Sequence, residues 1–192
     1  LRDARGREIP YQRLSQSMNR AAKRIRPCKF PEFMHRHIVR VAIDNVPIPA
    51  VGYTTITAEP SPLPTRPLLG PGLATSERSM SNEFLAVTIQ SNGSLTITDL
   101  RTRQTYERLL TFEDCADIGD GWYHGQAVND QTFVSTARHA DVALLHGGPL
   151  LTRFRIVTAL DVPERFLSDS MRRSSAMASL TIAAEVTLCA GA

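Results

Sequence analysis

The chain has 192 residues, of which 42% are hydrophobic and 21% charged, with a formal net charge of +3. That suffices for one large domain or two small ones with a buried core, and it excludes a wholly disordered chain. No run approaches the roughly 20 apolar residues that cross a membrane as a helix, so no membrane partner is expected.

In chain order, the sequence opens on Leu1-Arg2-Asp3 without Met or an apolar leader, and Glu185 to Ala192 reads as a strand without a tail. Both ends suggest a piece of a longer protein. Asp3-Ala4-Arg5-Gly6 reads as a turn into a short strand at Glu8 to Gln12. Ser15 to Arg26 reads as a short helical turn or a mobile basic loop. Arg36 to Ile43 alternates, with His37, Val39 and Val41 facing one way and Ile38, Arg40 and Ala42 the other, which is the period of a strand. Val51 to Thr57 is rich in β-branched residues and Tyr and reads as another strand. Between residues 59 and 81, Pro60, Pro62, Pro64, Pro67, Gly70, Pro71 and Gly72 remove backbone donors and loosen the chain, so this stretch reads as an exposed connection.

Beyond it the strand signals become regular. Glu83 to Gln90 and Leu95 to Asp99 flank Asn92-Gly93, a pair that accepts positive φ in a tight hairpin. Thr105 to Leu110, Thr132 to Ala137, Val142 to His146, Leu151 to Leu160 and Leu180 to Leu188 read as further strands. Many short strands with turns between them, and no long amphipathic helix, give an all-β fold.

The densest group of polar and aromatic side chains lies between Phe112 and Gly125. Trp122, the chain's only tryptophan, and Tyr123 offer flat apolar faces for sugar C–H groups, while Asp114, Asp117 and Asp120 can accept bonds from sugar hydroxyls. The alternative is an ordinary inter-strand loop whose aromatics plug one end of a sandwich. One loop seldom supplies both carboxylates of a glycosidase, so no catalytic residue is assigned here. His35 and His37 share a strand face, yet zinc takes at least three protein ligands and no third is near in sequence, so no metal ligand is assigned either. Cys28, Cys115 and Cys189 are odd in number and widely spaced, which argues against a disulfide framework and fits a reducing cytoplasm. Asn92-Gly93-Ser94 matches the glycosylation pattern but reads more simply as a turn. Arg13, Arg20, Lys23, Arg24, Arg26, Lys29, Arg36 and Arg40 make the N-terminal segment basic. Without stacking aromatics they point to a solvated face, or to a surface that meets an acidic domain, and not to nucleic acid.

Several phrases, in order, resemble the family 38 glycoside hydrolases, the α-mannosidases. Asp3 to Gln12 is similar to that family's D-x-x-G-x-x-V/I-P-x-Q strand pair, and Val46-Pro47-Ile48-Pro49-Ala50-Val51-Gly52-Tyr53 to the segment closing a small β-domain. Ser81 to Ile89 with Asn92-Gly93-Ser94-Leu95 and Asp99 resembles the start of a large sandwich, with Ser81 where the pattern has Glu. Phe112-Glu113-Asp114 and Asp117 to His124 resemble the loop that follows. The resemblance implies a small β-sandwich domain (1–58), a connection (59–81) and the first part of a larger antiparallel super-sandwich (82–192). It implies a parent enzyme that hydrolyses α-mannosides of glycans with retention, its zinc and catalytic carboxylates lying in an N-terminal barrel domain absent from this sequence. Alone, the chain is expected to be inactive and to hold no zinc. From the same resemblance Tyr123 is the best match to a sugar-contacting residue, Trp122 its neighbour one position away, and Asp120 an orienting residue. A half-sandwich exposes unpaired edges, so a homo-oligomer is a further expectation. The rival expectation is a stand-alone carbohydrate-binding sandwich without enzymatic activity.

Overall fold

Fourteen strands and two 3-10 turns form the regular structure among the described residues of the computed structural model, which are 1–27, 29–43, 46–61, 70–119, 121–128 and 130–191. The expected all-β class holds. The chain forms two compact units, one of residues 1–72 with 148–151 and one of the remainder.

The first unit is built on a long ribbon. β1 (Tyr11–Arg24) pairs antiparallel with β2 (Glu32–Ile43). The helical turn or loop expected over 15–26 is therefore strand as far as Arg24. The register slips between Arg13 and Ser15 and between Ser17 and Arg20, which puts two bulges on β1, and Asn19 at the second bulge has φ 50°. Each extra residue flips the side-chain alternation that would have announced a strand. β2 alternates as expected. Phe33, His35, His37, Val39, Val41 and Ile43 share one of its faces, and Phe33 is 80% exposed. At the ribbon's base, Asp3 Oδ1 accepts the Arg5 and Arg7 amides and closes the turn read from the sequence. Arg2 bridges both Glu8 and Thr57, and that single bridge replaces the strand expected over Val51 to Thr57, of which no other residue is paired in a ladder. Gln12 ties the same unit together. Its Oε1 accepts from the Leu150 and Leu151 amides and its Nε2 donates to the Leu151 carbonyl. A Cβ on Gly148 would lie 2.2 Å from Gln12 Cδ, so a side chain there would displace the amide that makes these bonds.

In the second unit β3 (Ala74–Ser76), β4 (Ser79–Ser81), β5 (Leu85–Ile89), β6 (Leu95–Asp99) and β7 (Thr105–Leu109) form a five-stranded sheet in chain order. β3 and β4 fall inside the Pro/Gly-rich stretch 59–81, whose residues 62–69 lie outside the described ones. The hairpin between β5 and β6 centres on Gly93 as expected, but only Gly93 has positive φ. Its amide donates to the Gln90 carbonyl and the Gln90 amide to the Ser94 carbonyl, the pattern of a three-residue loop with a glycine bulge. A Cβ there would come 2.9 Å from Ala140 Cβ, so the turn also needs glycine for packing.

A second sheet joins β10 (Asp141–Gly147), β11 (Leu151–Pro163) and β14 (Met177–Cys189) in that order, with β11 in the middle. Along β11, Thr152, Phe154, Ile156, Thr158, Leu160 and Val162 are buried at every second position. Phe154, Ile156 and Leu188 pack with Met80, Val87, Ile89 and Leu95 of the five-stranded sheet in one core. Thus the period-two pattern of each strand sorts apolar side chains onto the facing surfaces of two sheets. Asn82 fastens the start of β5. Its Oδ1 accepts the Phe84 and Leu85 amides, and its Nδ2 donates to the Cys189 carbonyl at the end of β14. Asn82→Ala strands these buried groups, and we expect a loss of about 1–3 kcal/mol in urea unfolding, with the m-value unchanged.

Candidate functional site

Two short pairs frame the loop that carried the sequence's densest polar and aromatic group. β8 (Glu113–Asp114) pairs with β9 (Phe133–Val134), and β12 (Phe166–Leu167) with β13 (Arg172–Arg173). The strand expected over Thr132 to Ala137 is only β9, continued by a 3-10 turn at Ser135–Ala137. Arg173 is the centre of the loop's base. Its guanidinium donates to the Asp114 carboxylate, lies 4.0 Å from Asp130 Oδ1 and stacks 5.1 Å from the Phe133 ring centroid. Asp130 in turn accepts the Ala116 amide. These groups are largely buried, with Arg173 and Asp130 side chains 13% and 14% exposed.

Above this base the loop closes on Asp117. Its backbone bridges Gln126, and its Oδ1 accepts the Gly119 amide at 2.8 Å and the Gly125 amide at 2.9 Å. A Cβ on Gly119 would stand 1.9 Å from the Tyr123 carbonyl oxygen, and one on Gly125 2.7 Å from the Gly119 nitrogen, so both glycines are needed for the close approach. The Gly125 amide, then the Gly119 amide, hold the Asp117 carboxyl below its ordinary value; the nearby His124 imidazole lowers it further, and desolvation opposes them. A lowered folded-state pKa favours the closed loop above the unfolded value and loses that effect as pH falls through the folded one. We therefore expect exchange protection of the Gly119 and Gly125 amides to be kept near neutrality and lost below about pH 4, as read by hydrogen exchange across a pH series.

Trp122 and Tyr123 stand on this loop, 87% and 77% exposed. Asp120, the third expected site residue, lies outside the described residues. Sequence reading missed two features here. His124 Nε2 lies 3.9 Å from Cys115 Sγ. Arg173, from a distant strand pair, anchors the loop and borders a cleft of about 790 Å³ with Val128, Gln131, Phe133, Met171 and Arg172. Neither Trp122 nor Tyr123 is among the described residues lining that cleft. On β2, His37 Nδ1 accepts the Asn19 amide at the bulge, and among the described residues no three His, Cys, Asp or Glu side chains converge as metal ligands. Among the same residues no helix is long and apolar enough to cross a membrane.

Two antiparallel sheets sharing one core, with a glycine-closed loop bearing exposed aromatics, define an all-β sandwich. Its fold is that of part of the family 38 glycosyl hydrolases. All of this chain superposes on 23% of an α-mannosidase from Enterococcus faecalis V583, with a TM-score of 0.78 and 23% identity. A protein in the Glycosyl Hydrolase Family 38 from Enterococcus faecalis is similar to 99% of this chain over 24% of its own, with a TM-score of 0.76 and 23% identity. In sequence, a Halalkalibacterium halodurans protein named for mannosylglycerate hydrolysis is 28% identical over 131 residues, 61% of this chain and 15% of that protein. The chain thus spans less than a quarter of each of these proteins. No family model matches it.

Proposed function

We propose that this chain is a non-catalytic β region of a zinc-dependent, retaining family 38 hydrolase acting on α-mannosides, and that loop 115–131 forms part of the wall of the sugar site. The whole-chain likeness of fold to an α-mannosidase carries this reading, supported by the ordered sequence phrases that resemble the same family. The described residues do not fit a zinc site, since zinc takes at least three protein ligands and no such set is present among them. The proposed zinc and catalytic carboxylates belong to a catalytic domain outside this sequence, which is the chain's proposed partner, and a mannose-containing glycan is the proposed substrate. Free Cys115 and Cys189 are consistent with a cytoplasmic setting.

The test compares the full-length protein with this chain. Full-length protein loaded with zinc hydrolyses nitrophenyl α-mannoside and loses that activity to a chelator, while the chain alone turns over none and binds no stoichiometric zinc. Mannosylglycerate is assayed alongside. A full-length protein that cleaves only other sugars, or none, defeats the proposal, and calorimetric binding of mannosides by the chain alone favours a stand-alone binding module instead. Within this reading Tyr123 contacts the sugar, Trp122 is its neighbour one position away, and Asp120 has the role of orienting the loop. Tyr123→Ala in the full-length enzyme lowers kcat/KM about tenfold with the melting temperature nearly unchanged. Unchanged kinetics would remove Tyr123 from the site.

A further inference from the structure

Cys115, His124 and Asp117 stand in line on the loop. Cys115 is exposed, with Sγ 3.9 Å from His124 Nε2, and on the opposite side of the ring Nδ1 lies 3.5 Å from Asp117 Oδ2. The other Asp117 oxygen holds the Gly119 and Gly125 amides, so the carboxylate is fixed with Oδ2 toward the imidazole. A proton on Nδ1 facing that carboxylate leaves Nε2 bare toward the thiol. A nucleophile beside a base, and the base beside an orienting carboxylate, is the arrangement that activates a thiol.

The two glycine amides that close the loop are not available to serve acyl transfer. Stabilising an oxyanion needs free donors, and the Gly119 and Gly125 amides already donate to Asp117. Thiol–disulfide exchange needs no such donors, because the departing charge rests on sulfur. We propose that Cys115 is a base-assisted thiol that exchanges with small soluble disulfides, with His124 as its base and Asp117 positioning the imidazole. His124 Nε2 takes the thiol proton, and the thiolate attacks one sulfur of the disulfide. The old S–S bond breaks as a new one forms to Cys115, and the departing thiolate takes the proton back from His124. Cys115 sulfur is oxidised and the departing sulfur reduced. This chemistry is independent of the hydrolase reading, and the adduct adds bulk to the loop that bears Trp122 and Tyr123.

Oxidised glutathione added to the native chain near neutral pH, followed by peptide mass mapping, reads the rate at Cys115 with Cys189 as internal comparison. Cys115 is expected to react about tenfold faster in the folded chain than in urea. His124→Gln is expected to remove that advantage, to shift the rate–pH profile to higher pH, and to leave Cys189 unchanged. Equal folded and unfolded rates at Cys115 overturn the proposal, as does a His124→Gln chain reacting as fast as the native one. The folded-versus-urea comparison involves no variant, so it decides the matter even where His124→Gln loosens the loop.

Discussion

Phe154→Ala lowers the unfolding free energy of the second unit by about 3–5 kcal/mol, the range for deleting a buried phenylalanine side chain. Phe154 has no exposed surface and sits near the start of β11, where alternate residues all point into the core. It packs in one cluster with Met80, Val87 and Ile89 of the five-stranded sheet and Leu188 of β14. Its removal opens a void between two sheets whose separation is fixed by the other core side chains, so collapse cannot fill it. Urea unfolding followed by far-ultraviolet circular dichroism reads the effect as a lower midpoint at constant slope. A loss below about 1 kcal/mol would mean that the two sheets do not share this core.

Arg173→Met is expected to cost a similar amount, about 3–5 kcal/mol, through charge and not volume. The methionine stem can keep its place against Phe133, but Asp114 and Asp130 lose the Arg173 cation between them while Asp130 stays largely buried. Converting both aspartates to asparagine in the same variant restores much of the loss, which separates a stranded-charge penalty from lost packing. The same substitution also frees the base of loop 115–131, so the fluorescence of Trp122 changes at urea concentrations below the main transition. A single coincident transition would show that Arg173 does not anchor the loop.

What the sequence made legible followed physical simplicity. β11 and β2 were readable because their alternation runs unbroken over many residues. The β5–β6 hairpin was readable because Gly93 must leave ordinary backbone space. β1 was not, because bulges near Leu14 and Asn19 shift the alternation twice. Val51 to Thr57 has the side chains of a strand, but only Thr57 finds a partner, which shows that propensity without pairing does not make a sheet. β3 and β4 were hidden in a window whose prolines and glycines dominate its composition. At the candidate site, the aromatics of loop 115–131 were visible as composition. The approach of His124 to Cys115 was not, since it depends on Asp117 drawing two glycine amides together. Arg173 was invisible as an anchor because its partner Asp114 lies 59 residues away.

The β1–β2 ribbon of the first unit has a thermodynamic use of its own. At about 3.3 Å per residue its 12-residue second strand reaches roughly 40 Å. Nearly all of its residues beyond the base are exposed or only partly covered. A two-stranded ribbon in water is marginal, held mainly by cross-strand pairs worth about 0.2–1 kcal/mol each. Its outer rungs, from Arg20 opposite Arg36 to Arg24 opposite Glu32, therefore fray and re-form readily. Anything laid across them slows that fraying directly, so the exchange rates of those amides serve as a built-in gauge of whether the ribbon is covered.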